Sequence, residues 1–216
     1  MKENHRVKGV IFDLDGTLID SYQAIYLSFK YVYENMGLSP LPYDAVKKVV
    51  GRGLGHTFQE LLGEERAPQA LSLFRQKYEE IFRVHTQLLP DVREVLETLH
   101  KQRIQMAVAT NKLGRFSRAI FEHFGMEKFF TAIVGDGDVS QNKPNPEMLY
   151  HAMGKMGVGK EETVFVGDSV IDIQTAKNAS VRVFALPTGN TPREALEKAQ
   201  PTALLNRLLD LLIYVS

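Results

Sequence analysis

The 216-residue chain contains no cysteine. Disulfides and thiolate chemistry are therefore excluded, and a zinc site would have to be built from histidine and carboxylates alone. The six histidines are scattered without ligand spacing. An excess of charge of one sign is missing too. Lys plus Arg and Asp plus Glu both total 26, so no global field favours nucleic acid or anionic lipid, and a small, locally recognised partner is expected. No apolar run is long enough for a membrane span, and the first one is broken by Asp13 and Asp15 far short of a signal-peptide core. A soluble cytoplasmic protein is the expectation. Internal repeats and low-complexity segments are absent as well.

What is present is an alternation. With 44% hydrophobic residues, the chain can bury the core of one large domain, or of a domain carrying a smaller one. Short apolar runs read as strands at 7–12, 104–109, 129–134, 163–166 and 181–186. Between them lie helical periods: "DVREVLETLHKQ" after Pro90, "RFSRAIFEHF" stopped by Gly125, and "NPEMLYHAM" with Asn145 as N-cap and Pro146 in the first turn. Strand and helix in turn imply an α/β fold with a doubly wound parallel sheet. The tail "TALLNRLLDLLIYV" reads as a closing amphipathic helix.

From the second strand onward one helix fits each connection, but about 90 residues separate the first strand from the second, far above a usual crossover. The excess holds three helical periods, "SYQAIYLSFKYVYENMG", "YDAVKKVVG" and "PQALSLFRQKYEEIFRVH", punctuated by "GLSPLP" and "GRGLG". The expected organisation is a Rossmann-like core over 1–18 and 89–216, with a small α-helical cap inserted at 19–88.

The stretch "VKGVIFDLDGTLIDS" (7–21) carries the first chemical signal. A continuous apolar run marks a buried parallel strand, and the carboxyl ends of such strands are where open α/β sheets place ligands. Asp13 and Asp15 sit at that end, two residues apart, which puts them on one side of extended backbone about 6.5 Å from each other. Something positive is required beside them. The later strands supply further groups at the same edge: Thr110 and Asn111 in "VATNK", Lys143 in "NKPNP", and Asp168 and Asp172 in "GDSVID". Carboxylates gathered at one edge repel unless a cation joins them, and a hard, oxygen-rich site suits Mg²⁺. A hydroxyl, an amide and an ammonium are donors for phosphoryl oxygens.

Taken together and in this order, "DLDGTLIDS", "TNK", "KPNPEML" and "GDSVID" resemble the four motifs of the haloacid dehalogenase superfamily, over nearly the whole chain and with a helical cap where its capped phosphatases carry one. The resemblance implies a Mg²⁺-dependent phosphatase acting on a small phosphate monoester, with 2-phosphoglycolate as the substrate to test. It implies Asp13 as nucleophile and Asp15 as acid and base. Asp13, the carbonyl of Asp15 and Asp168 would form the metal site, with Asp172 orienting a water there. Thr110, Asn111 and Lys143 would hold the phosphoryl group.

Alternatives stay open at this level. A phosphomutase would share the nucleophile, metal and cap, and a pyrophosphatase differs only in substrate. A phospho-accepting signalling module also groups Asp, Thr and Lys at a sheet edge, but it pairs adjacent acidic residues and lacks the large insertion. Asp172 also completes a capping-box pattern with Ser169, so it is either a helix cap or a metal-site residue. "GKMGVGKE" (154–161) imitates a P-loop but has Glu161 where Ser or Thr must stand, and reads as a helix stop and turn. "GRGLG" (51–55) has the wrong spacing for a dinucleotide fingerprint and reads as a flexible cap loop, in which Arg52 offers a planar fork for a substrate carboxylate. Ser180 stands where the resemblance leads one to expect glycine, and "FALPTGN" is an unusual continuation of the last strand.

Overall fold

The computed structural model describes residues 6–215; the first five residues assigned to the core, and Ser216, lie outside the described part. Six strands form one sheet in the order β5-β4-β1-β6-β7-β8, from β1 (Gly9–Phe12), β4 (Gln105–Leu113), β5 (Ala132–Asp136), β6 (Thr163–Gly167), β7 (Arg182–Ala185) and β8 (Ala203–Leu204). Every pairing in it is parallel. Its polarity follows from the sequence: Val10 and Phe12 join one hydrophobic cluster while Ile11 between them joins the other, so both faces are buried. Helices α5 (Val92–Lys101) and α6 (Gly114–Phe124) pack on the first face, with α7 (Glu147–Met156), α8 (Val170–Ala179) and α9 (Arg193–Lys198) on the second. The order winds outward in both directions from β1. The crevices at its carboxyl end, beside β4 and β6, are thus the switch point where this architecture places ligands.

The chain leaves the sheet through β2 (Ile19–Asp20) and returns through β3 (Gln87–Leu88), which pair antiparallel, Ile19 with Leu88. Between them run α1 (Tyr22–Asn35), α2 (Tyr43–Val49), α3 (Leu54–Leu62) and α4 (Ala67–His85). An aromatic stack holds these helices together and ties them to the sheet. Phe29 stacks on Phe58 at 4.8 Å, Phe74 on Tyr78 at 5.5 Å, and Tyr78 meets Phe116 of α6 edge-on at 4.9 Å. Each such pair contributes about 0.5–1.5 kcal/mol beyond its buried area. Among the described residues no helix is long and apolar enough to cross a membrane.

Several local expectations are corrected. The tail is not one helix: Ala203 and Leu204 pair with Phe184 and Ala185, because the open edge of β7 satisfies their backbone groups, and only Leu208–Leu211 and α10 (Leu212–Val215) are helical. "GRGLG" is not all loop, since α3 starts at Leu54, directly after Gly53. The third run is strand only from Ala132, with Glu127–Phe129 forming a 3₁₀ turn before it. Helix α7 begins one residue late, at Glu147, yet Asn145 still accepts its first amide at 2.9 Å. Ser180 adopts φ 56° at the end of α8, the left-handed position that glycine fills without strain. The P-loop imitation is indeed a helix stop, with Gly157 in the left-handed region after α7.

Candidate active site

Asp13 follows β1 directly, and its amide donates to Val166 of β6 at 2.8 Å, so the ladder itself fixes where the carboxylate starts. Lys143 Nζ stands 2.7 Å from Asp13 Oδ1 and donates to Asp172 Oδ1 at 2.7 Å. Asp168 is held from the other side, its Oδ1 accepting Thr17 Oγ1 at 2.9 Å. Asp13, Asp168 and Asp172 are all buried, and each offers a carboxylate oxygen within 4.8 Å of the others. Asp15 belongs to a separate pair: both its oxygens accept Lys112 Nζ at 3.0 Å, and Ser21 donates to Oδ1. The required positive charge is therefore not one cation shared by Asp13 and Asp15 but one lysine for each.

The electrostatics follow from burial. Desolvation pushes the Asp13 carboxyl up to about 6, although Lys143 opposes it, and Asp172 adds to the rise. Asp168 is pushed well above the usual carboxylate range by burial first, then by Asp172 and Asp13. For Lys143 burial acts downward, but Asp13 and Asp172 outweigh it and hold the ammonium above its ordinary range. Three buried carboxylates thus face one ammonium, an excess of two negative charges that a divalent cation matches. Asp13 Oδ1 meets Lys143 as an ion pair at 2.7 Å without a well-directed hydrogen bond. The donors are all hard oxygens, as Mg²⁺ requires.

The cradle is tight. A Cβ on Gly189 would lie 1.7 Å from Asp168 Oδ2, and one on Gly16, which also has φ 86°, would lie 2.5 Å from the same atom. A cavity of about 770 Å³, counting its open mouth, lies above these groups, between the sheet edge and the inserted helices.

Comparison with known proteins agrees with this arrangement. Residues 10–186 match the model of the haloacid dehalogenase-like hydrolase family. The chain belongs to that family. It is 32% identical over 212 residues to phosphoglycolate phosphatase 1 of Pseudomonas aeruginosa, covering 94% of this chain and 78% of the relative. It is also 32% identical to the phosphoglycolate phosphatase of Vibrio parahaemolyticus, covering 97% and 96%. A crystal structure described as a predicted phosphoglycolate phosphatase from Haemophilus somnus superposes with a TM-score of 0.88 at 27% identity, covering 97% and 98%.

Asp13, Asp15, Thr110, Asn111, Lys143 and Asp168 of this haloacid dehalogenase-like hydrolase line the same cavity, whereas Asp172 lies behind its lining. Thr110, buried in β4, accepts the Lys112 amide at 3.2 Å, which leaves its hydroxyl hydrogen as a donor. Asn111, expected to hold phosphoryl oxygen, has its side-chain amide fully engaged. Its Nδ2 donates to Gly51 O at 2.9 Å and Lys143 O at 3.1 Å, and its Oδ1 accepts the Lys143 amide at 2.8 Å. It is a strut that sets Lys143 and anchors the "GRGLG" turn. Asp172 completes the capping box of α8 with Ser169, whose amide it accepts at 3.0 Å, and its other oxygen accepts Lys143 Nζ at 2.7 Å within the carboxylate cluster. Arg52 is not brought to the site, because its guanidinium is exposed and lies 3.4 Å from Glu60.

Two participants, Lys112 and Thr17, are not singled out by the sequence, and a third, "FALPTGN", is noted there without a role at the site. Lys112, next to the "TN" pair in the quoted "TNK", was legible only by its neighbours. Thr17 lies within the first motif but contacts Asp168, 151 positions away. The "FALPTGN" segment closes the site: Thr188 donates to Gly16 O at 2.6 Å and Asn190 to Lys47 O of α2. Its place after β7, beside the strand that carries Asp168, was the available signal.

Proposed function

We propose that this chain is a Mg²⁺-dependent phosphatase of small phosphate monoesters that works through an aspartyl phosphate on Asp13. In this reading residues 19–88 form a helical cap domain over a core of 1–18 and 89–216. The observation that carries it is the Asp13 carboxylate at the cavity floor, set by β1, with an ammonium at 2.7 Å and Asp168 and Asp172 beside it. The names of the relatives, phosphoglycolate phosphatases, support phosphate esters as the substrate class.

Asp13, Asp168 and the backbone carbonyl of Asp15 would hold Mg²⁺. When bound, the ion supplies the positive charge that lets an anionic nucleophile approach an anionic ester. Asp13 attacks phosphorus, the ester P–O bond breaks with its electron pair on the leaving oxygen, and Asp15 gives that oxygen a proton. Water then attacks the phosphorus of the acyl phosphate while Asp15 takes its proton, and inorganic phosphate leaves with Asp13 restored. Lys143 and the Thr110 hydroxyl bind phosphoryl oxygens that gain charge in both steps. Asn111 and Asp172 keep Lys143 in place, by its backbone and by its ammonium. Lys112 and Ser21 orient Asp15.

Release of phosphate from p-nitrophenyl phosphate and 2-phosphoglycolate, with MgCl₂ and with EDTA, tests the reading. Turnover with Mg²⁺ that EDTA removes is expected. Phosphate release from neither ester, or release indifferent to EDTA, would refute it.

A further inference from the structure

The inserted helices bring no charged side chain to the cavity. Their contribution to its wall is Tyr22, Ile25, Phe29, Leu54, Phe74 and Tyr78, extended by Phe116 from the sheet side. Among the described residues the cations that line it are Lys112 and Lys143, and both already sit on carboxylates, at 3.0 and 2.7 Å. Two of the neutral polar side chains along the wall, Thr57 and Ser169, already spend their hydroxyl hydrogens. Thr57 donates to Gly53 O at 3.0 Å, and the Ser169 hydroxyl donates to Asp172 at 2.6 Å. Arg52, the nearest candidate for a carboxylate partner in sequence, lies outside on Glu60.

From this we infer that the organic part of the substrate is neutral and apolar or aromatic, so that the cavity selects phosphate esters of apolar alcohols against carboxylated esters such as 2-phosphoglycolate. The inference rests on the phosphatase reading and narrows its substrate class. A carboxylate in the same space would be desolvated beside Asp15, and among the described residues the two cations lining the cavity are already paired. Recruiting Lys112 to it would strip Asp15 of both bonds at 3.0 Å. An apolar group meets instead the aliphatic lining of Ile25, Val49 and Leu54.

Two phosphonates differ only in this group. Benzylphosphonate carries a phenyl ring on the methylene, and phosphonoacetate carries a carboxylate. Neither can be hydrolysed by attack at a P–O ester bond, so titration calorimetry of the full chain with Mg²⁺ reads binding independently of turnover. Benzylphosphonate is expected to bind at least tenfold more tightly. Leu54→Lys, which places an ammonium in the wall, is expected to shift that ratio at least tenfold toward phosphonoacetate. Affinities within tenfold of each other, tighter phosphonoacetate, or no detectable benzylphosphonate binding in the parent protein would each overturn the inference, whether or not the variant folds. The phosphatase reading fails separately, if benzylphosphonate binds but no ester releases phosphate.

Discussion

Without metal, the protein should be less stable at pH 7.5 than at pH 5. Asp13 titrates near 3.8 when exposed and at about 6 in the fold, where burial penalises its charged form. The folded state therefore holds a proton that the unfolded state has lost, and stability falls as pH rises through the folded value. The full contribution is present below pH 3.8 and gone above about 6. Its size is about 3 kcal/mol over that range, of which roughly 1.4 kcal/mol is lost between pH 5 and 7.5. Asp168, raised by the same burial and by its carboxylate neighbours, acts in the same direction. Lys143 does not offset the trend, because its ammonium is held above the ordinary lysine range and stays charged throughout. Asp91, Asp138 and Glu147, held below the usual carboxylate range, give up their stabilisation only at lower pH and leave this window clear. Urea unfolding in EDTA at pH 5, 6, 7 and 7.5 reads the slope, and Asp13→Asn should lessen it, leaving the part that Asp168 contributes. Millimolar Mg²⁺ should stabilise the protein more at pH 7.5 than at pH 5, because the ion requires the ionised carboxylates. Metal-free stability that is level or rises across this window would refute the electrostatic account of the cluster.

Asp15→Asn should slow hydrolysis of alkyl phosphates by roughly 10²–10⁴ and that of a nitrophenyl ester much less, since only the poor leaving group needs a proton; steady-state kinetics on both esters check it, and equal losses would deny Asp15 its role as acid. Arg52→Ala should change kcat/KM for 2-phosphoglycolate and for a neutral aryl phosphate by less than about threefold, because the exposed pair with Glu60 carries little energy. A loss confined to the carboxylated ester would place Arg52 at the substrate after all.

The sheet and the floor of the site were legible because their signals are local. Three apolar runs that lead directly into Asp13, Thr110 and Gly167-Asp168 are strands whose carboxyl ends must share an edge once the sheet is parallel, and those three residues, Asp13, Thr110 and Asp168, meet there. Lys143 was legible through the company of its motif. What could not be read depends on contacts between distant positions. Asn111 looked like a phosphate donor because an amide beside a threonine offers the right atoms; only the fold shows those atoms occupied by Gly51 and Lys143. Thr17 and Gly189 both act on Asp168, from 151 positions before it and from the loop after the next strand, and no periodicity links them. Ala203 and Leu204 have a helical neighbourhood in sequence, but the free edge of β7 decides their state. The apolar wall was hidden for a similar reason: Phe29, Phe74 and Tyr78 sit at helical spacing, which reads as core, and which of them also border a cavity depends on how the helices meet Phe116.

The central claim is that Asp13 becomes phosphorylated during turnover. Mixing the enzyme with a ³²P-labelled phosphate ester and Mg²⁺, quenching in acid within the first turnover and mapping the label by peptide analysis tests it directly. The account predicts label on the peptide carrying Asp13, discharged by hydroxylamine as an acyl phosphate is, and none in Asp13→Asn, whose turnover falls by about 10⁴ or more. Label on another residue, or an Asp13→Asn variant that turns over within tenfold of the parent, would contradict it.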